Sequence, residues 1–339
     1  MSLETLNSGS VPQHSAMLLL PRIRVQNANA ISSPMTWGFP SMTAFLGLMT
    51  GLERRLGPEA GIAFRSVGVV CHGFEAQVTT GDYTRAFHLT RNPVLADGST
   101  AGIIEEGRVH LELSLVFDVL LSSGKLGEAE RQALVDMVAH TLAGMRLAGG
   151  SVMPALPMAR TRSVKPMLQL EAEDDADKSK QFQQLMRRCL PGFTLVSRDD
   201  LLQQRLAEMQ KVTPEANALD AWLDLSRLNY RAISGLDAVE GSPSEWQTDL
   251  RPGWIVPIPV GYAALSELHP AGSVVNARDD NTPFRFVETL WSIGQWVSPH
   301  RLKKLDDLLW YASTEGDTQA VYCCCNDYTA EILADTATV

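Results

Sequence analysis

The chain has 339 residues, 45% of them hydrophobic, with a formal charge of −10. That length and composition suit one large or two ordinary globular domains with a real core. No run of 18 apolar residues exists, so no membrane span is expected. The acidic balance argues against a free-standing nucleic-acid binder but leaves room for one basic face inside a larger assembly.

Residues 1–15 are polar and lack a charged stretch before an apolar core, so they read as a disordered leader and not a signal peptide. An apolar run, Ala16 to Val25, predicts the first strand. A polar turn rich in Asn and Ser follows, with Pro34 and Pro40. A helix is predicted over Ser41–Gly57, with Ser41 as N-cap and Phe45, Leu46, Met49 and Leu52 on one face. The second strand is predicted over Ser66–Thr79 and the third over Arg108–Leu120. Between them, Tyr83–Gly107 carries the turn signals Asn92-Pro93 and Asp97-Gly98, which predict a projecting β-hairpin. A second helix spans Glu128–Met145, and a last strand runs from Arg146 through Gly149-Gly150 to Met153. The order β-α-β-β-α-β predicts an α+β, ferredoxin-like fold over residues 16–153, a topology RNA-recognition domains share.

Residues 154–250 open with a basic, proline-marked linker (Pro154, Pro157, Arg160, Arg162, Lys165, Pro166). Helical patterns follow at Lys178–Leu190, Arg198–Lys211 and Pro214–Leu228, enough for a small helical insertion. Residues 251–339 return to β-structure, with strands over Trp254–Tyr262 and Asn276–Val297 and a terminal helix over Pro299–Tyr311.

Metal and redox chemistry find little support. The five cysteines lack CxxC spacing, and Cys323-Cys324-Cys325 would point to alternate faces of a strand, so free thiols of a cytoplasmic protein are expected. The seven histidines form no HxxxH or HExxH pair. No GxSxG elbow, Walker loop or GxGxxG fingerprint is present. Phosphate recognition is better supported. The loop Gln26–Trp37, with Asn27, Asn29 and Ser33, feeds a helix N-terminus that offers free N–H groups. Arg146 stands beside Gly149, Gly150 and Ser151, where a backbone without side chains approaches phosphate closely. Asn276-Ala277-Arg278 and Phe284-Arg285-Phe286 alternate charge with aromatics, which suits stacking plus phosphate contact. Each segment also fits an ordinary turn or half-buried strand.

Taken together, PRIRVQNANAISSPMTWGFPSMTAFLGL, VGVVCHGFEAQ, HLTRNP…DGSTAGIIEEGR, MRLAGGSVMP, LPGFTLVSRDDLLQQ, PGWIVPIPVGYAALS and NARDDNTPFRFVETLWSIGQWVSPHRL…DLLWY resemble the Csy-type, Cas-five-like subunits of type I-F CRISPR surveillance complexes. These motifs cover most of Leu18–Tyr311. The resemblance implies a non-catalytic, cofactor-free cytoplasmic protein that binds the 5′ handle of a CRISPR RNA. It implies pairing with the large subunit at the foot of the complex and meeting target DNA through the assembled complex. The hairpin would be the family's thumb, touching the adjacent backbone subunit and the RNA, with Arg91 joining the RNA-contacting set. Two other readings stay open. One is a repeat-RNA endoribonuclease using His72, His88 or His110. The other is a structural adaptor without RNA contact.

Overall fold

The computed structural model describes residues 14–91, 94–95, 97–153, 164–233, 245–249, 251, 253–277, 279–315 and 320–329. Strand β1 (His14–Asn29) is followed by the small pair β2 (Ile31–Ser33) and β3 (Thr36–Trp37), then helix α1 (Met42–Leu56) and β4 (Ile62–Ala76). The projecting segment holds β5 (Val78–Thr80), β6 (Arg85–Phe87), β7 (Leu89–Arg91) and β8 (Ile103–Glu105). Next come β9 (Arg108–Leu121), α2 (Glu128–Ala143), β10 (Arg146–Leu147), β11 (Gly150–Met153) and β12 (Met167–Leu170). Helix α3 (Asp175–Arg188) precedes β13 (Phe193–Ser197), α4 (Asp199–Gln210), α5 (Ala218–Ser226) and the pair β14 (Tyr230–Ile233) and β15 (Glu245–Thr248). The last strands are β16 (Ile255–Ala264), β17 (Val287–Val297), β18 (Leu309–Glu315) and β19 (Val321–Asn326).

Local chemistry sets the first helix. Ser41 accepts the Thr43 N–H, and Gly57, at φ 75°, ends the helix by donating to the Glu53 carbonyl. Phe45, Leu46, Met49 and Leu52 form its buried stripe, as the spacing predicts. That stripe covers a mainly antiparallel sheet with the order β11-β1-β9-β4 at its heart. Ala16, Leu18 and Leu20 of β1 face α1 and α2, while Met17 and Leu19 face α3 on the other side. Burial on both faces explains why β1 reads as a continuous apolar run and not an alternation.

The sheet does not stop at β4. Residues Cys71 and Val70 pair with Phe193 and Thr194 of β13, and Gly68 and Val67 pair with Leu309 and Trp310 of β18. The path β4-β13-β17-β16-β19-β18 therefore returns to β4 and closes a barrel. Trp310 fills it, fully buried, with its indole N–H donating to the Leu195 carbonyl at 2.9 Å.

Several sequence expectations change. The first strand does not end at Val25. It passes a bulge between Val25 and Ala28 and continues to Asn29. His14 and Ser15, expected in the leader, already belong to β1; the rest of that leader lies outside the described residues, as does most of the linker at 154–163. The strand expected over Arg146–Met153 is a tight hairpin, with Ala148 and Gly149 at φ 48° and 75° between β10 and β11. Two left-handed central residues give the primed turn that matches strand twist. The helices at 175–226 do not form a separate bundle: α3 packs on the sheet and β13 inserts between β4 and β17. Of the strand expected over Asn276–Val297, only β17 forms.

The terminal helix expected over Pro299–Tyr311 is absent. Two 3-10 turns, Pro299–Arg301 and Leu305–Asp307, lead straight into β18. Leu302, Leu305 and Leu308 all pack into the cluster beneath α3. A three-residue repeat serves a 3-10 path as well as a helix, because 3-10 geometry eclipses residues three apart. The Asp307 carboxylate accepts the Lys303 and Lys304 N–H groups at 2.7 and 3.2 Å, which fixes the turn.

Candidate nucleic-acid interface

At one end of the sheet, backbone turns converge. Asn27 (φ 56°) makes the β1 bulge, and Ala148 and Gly149 make the adjoining hairpin turn. The Asn29 N–H donates to the Ala148 carbonyl at 2.8 Å, which ties the two together. Gly150 sits so close to β1 that a Cβ there would lie 2.6 Å from the Ala28 nitrogen and the Gln26 oxygen. Left-handed turns of this kind present backbone N–H groups to anions. Arg108, the first residue of β9, reaches across: its guanidinium holds Glu106 at 2.5 Å and donates to the Asn27 carbonyl at 3.4 Å.

These parts wall a groove of ≈ 610 Å³. Asn29, Arg108 and Gly149 form one side, Ser41 and Thr43 at the start of α1 the floor, and Tyr262 and Tyr322 the other side. The two tyrosines face each other across β16 and β19. Burial, with neighbouring Cys324, Tyr262 and Cys323, pushes the Tyr322 hydroxyl up to about 12, so it stays a neutral donor. Tyrosine faces, the Ala148–Gly149 turn and Arg108, whose charge is shared with Glu106, suit one nucleotide of a single strand, with the base on a ring.

The sequence-predicted residues divide into groups. Asn27, Asn29, Gly149, Gly150 and Ser151 do come together. Ser151 pairs with both Gln26 and Arg146, and Arg146 is exposed on β10. The Asn29 amide, however, is engaged in its own turn, donating to the Ile31 carbonyl at 2.7 Å and accepting its N–H at 3.1 Å. Ser33 is buried, hydrogen bonded to Thr36 and accepting from the Trp291 indole at 3.0 Å. Trp37 points to a different cavity, described below. Arg285 and Phe286 lie past the paired end of β16 and β17, where Phe286 packs edge-on to His269 and Phe284. Arg91 contributes its backbone to β7, and Arg278 falls outside the described residues. Sequence reading missed Arg108, Tyr262 and Tyr322. The only local signal was an arginine at the junction of the projecting hairpin and a core strand.

Two of the three candidate nuclease histidines, His72 and His110, have other occupations, while His88 is exposed on the projecting segment. The His72 Nδ1–H donates to the Pro191 carbonyl at 2.6 Å, and Nε2 takes the Ser114 hydroxyl at 2.7 Å. The Pro191 carbonyl can only accept, so Nδ1 carries the proton of the neutral ring and Nε2 accepts; the Ser114 oxygen also accepts the Arg22 N–H. Burial lowers the His72 pKa and keeps the ring neutral. His110 Nδ1 accepts the Asn27 N–H at 3.1 Å, holding the bulge. Among the described residues no group of three or more of His, Cys, Asp and Glu is arranged to hold a metal, and no helix is long and apolar enough to cross a membrane. Burial pushes the Cys71 thiol to about 11 and those of Cys189 and Cys324 to about 12, so these stay protonated.

A second cavity, of ≈ 480 Å³, lies on the other side of Pro40 and Ser41. Its walls carry Trp37, Phe39, Phe74, Phe193, Trp254 and Trp296. Phe39 meets Trp296 edge-on, and Trp254 contacts both Phe193 and Trp296.

A family model described as CRISPR-associated protein (Cas_Csy2) matches residues 18–324 of the chain. The CRISPR-associated protein Csy2 of Pseudomonas aeruginosa (strain UCBPP-PA14) is 49% identical over 315 residues, which cover 91% of this chain and 94% of that protein.

Proposed function

Because the chain belongs to the Csy2 family of CRISPR-associated proteins, we propose that it is a non-catalytic subunit of a type I-F CRISPR surveillance complex and grips the 5′ handle of the CRISPR RNA. The observation that carries this reading is the groove between Arg108, the Ala148–Gly149 turn and the Tyr262–Tyr322 pair. The order β11-β1-β9-β4 with α1 and α2 on one face supports a ferredoxin-like, Cas-five-like core of the repeat-associated RNA-binding superfamily. In this reading the large subunit pairs with the chain, the hairpin at 83–107 is the thumb that meets the adjacent backbone subunit, and target DNA is met through the assembly. The protein works in the cytoplasm and needs no metal. The engaged ring nitrogens of His72 speak against its serving as a general base for RNA cleavage.

The test is a titration of handle RNA and a scrambled RNA onto the heterodimer with the large subunit, at two salt concentrations. Arg108→Gln and Arg146→Ala are expected to weaken both RNAs. Each lost phosphate contact is expected to reduce the salt slope by about 0.7, the value for a single strand. Asn29→Ala disturbs the turn that shapes the groove and is expected to erode preference for the true handle. Unchanged binding and salt slope in all three folded variants would overturn the proposed site. Specific cleavage of repeat RNA by the wild-type chain, lost in His72→Gln, would favour the nuclease.

A further inference from the structure

Three cysteines follow one another in β19, and the strand sorts them. Successive side chains of a strand point to opposite faces, and residues two apart share one. Cys324 is buried in the core with Trp310. Cys323 and Cys325, paired across to Ser313 and Tyr311 of β18, share the other face and are half-buried. There the two thiols meet, hydrogen bonded to each other through their side chains. Gly261 of β16 stands beside Cys323 on the second edge of β19, so Cys323 has a glycine and a serine as its neighbours across the sheet.

Two thiols in contact on one strand are badly placed for a disulfide. That bond needs β-carbons about 3.5–4.5 Å apart around an S–S distance of about 2.05 Å. Residues two apart in an extended strand are about 6.7 Å apart, with their side chains parallel. The wider span suits an atom seated between the sulfurs. Two metal–sulfur bonds of about 2.3 Å each, the value for zinc thiolates, separate the sulfurs by up to about 4.6 Å. The number of ligands then selects the ion. A structural zinc takes four, and among the described residues no third His, Cys, Asp or Glu joins the pair within coordinating reach. Soft thiolate sets without further ligands favour a monovalent d10 ion.

We propose that Cys323 and Cys325 form a two-thiolate binding site for one soft monovalent cation, Cu(I). The copper stays Cu(I) throughout. Two S–H bonds break heterolytically, two Cu–S bonds form, and both protons leave to solvent. The surroundings are anionic. Asp199, at the start of α4, acts on Cys323, and Asp327, which accepts the Tyr311 hydroxyl at 2.9 Å, stands beside the pair through Tyr311. The bond to Cys325, burial and these charges hold the Cys323 thiol well above its usual range, so it stays protonated until the ion displaces the proton. Tyr311, pushed up to about 12, does not titrate near neutrality. The RNA reading needs no such ion, so the two stand or fall separately.

The test uses the reduced full chain without oxygen and Cu(I) supplied as its coloured bicinchoninate complex. The wild-type chain is expected to withdraw one Cu(I) per chain, and X-ray absorption at the copper edge is expected to show two sulfur ligands. Cys323→Ser and Cys325→Ser are each expected to lose this ion, whereas Cys324→Ser and Cys71→Ser keep it. Affinity near neutral pH is expected to rise about a hundredfold per pH unit, the mark of two displaced protons. Retention of the ion by both Cys323→Ser and Cys325→Ser would overturn the proposal. So would its loss in Cys324→Ser with the melting temperature unchanged. Should a serine variant fail to fold, the wild-type chain still decides. Nitrogen or oxygen ligands in its absorption spectrum, or a rise of only about tenfold per pH unit, would leave at most one thiolate on the ion and overturn the paired site.

Discussion

At the residue scale, His72 shows how a motif that suggests chemistry can be structural. Its neutral ring bridges Pro191 and Ser114, and burial holds its pKa below the usual 6.5. The unfolded chain therefore binds the proton first as the solution acidifies. The stability from this bridge is complete above 6.5 and is lost as pH falls below it toward the folded value. Melting temperatures between pH 7.5 and 5.5 are expected to fall more steeply for wild type than for His72→Gln, which can donate and accept without taking up charge. His72→Ala is expected to cost about 1–3 kcal/mol, the penalty for stranding a buried partner. The glycine pair also separates by role. Gly150→Ala would drive a methyl into two backbone atoms of β1 and is expected to cost about 1–3 kcal/mol by denaturant titration. Gly149→Ala meets nothing nearer than Arg108 at 4.0 Å, and its left-handed φ costs about 1 kcal/mol. It keeps the fold and is expected to weaken RNA. The Gly-Gly pair was visible in the sequence; which glycine serves packing and which serves access depends on the distance to β1, which no local pattern records.

At the element scale, the projecting segment that holds β5 to β8 is an excursion from the sheet. Its strands pair only with one another, β5 with β6 and β7 with β8, and Leu89 and Ile103 are exposed. Replacing residues 89–104 with a short Gly-Ser loop is expected to leave the melting temperature within a degree or two and to weaken recruitment of the backbone subunit, read by size-exclusion of the assembled complex. Trp37 and Phe87, 6.2 Å apart at the base of the projecting segment, stay in place in that variant. Elements with local signals were legible: α1 through its Ser41 cap and apolar stripe, and β9 through its length and branched residues. The missing terminal helix was not, because Leu302, Leu305 and Leu308 satisfy two periodicities and only the buried pairing of β18 decides between them. The turn at Ala148–Gly149 was read as continuous strand because alternation cannot distinguish one strand from two halves of a hairpin. The groove proposed to hold RNA was half legible. Asn29 and Gly149 are near in sequence to their own motifs, but Tyr262 and Tyr322 reach the same space from strands hundreds of residues later.

At the scale of the whole molecule, a net charge of −10 is compatible with the proposed role only if cationic contacts to RNA are local, as an exposed Arg146 would allow. The closed path through β4 has a further consequence, for the order in which the chain is made. A ribosome delivers β4 early, yet the partners for Val67, Gly68, Val70 and Cys71 are Trp310, Leu309, Thr194 and Phe193. Until those arrive, an apolar edge waits without a ladder, the kind of edge that recruits other chains. A fragment spanning 14–153 should therefore aggregate despite containing the whole β11-β1-β9-β4 sheet, and co-expression of a fragment spanning 164–329 should return it to solution. Recovery of 14–153 alone as a soluble, cooperatively melting monomer would show that the barrel is an appendage. Otherwise the groove between Arg108 and Tyr322, built from both ends of the sequence, comes into being only after translation has passed Tyr322, and a prematurely terminated chain lacks the surface proposed to hold RNA.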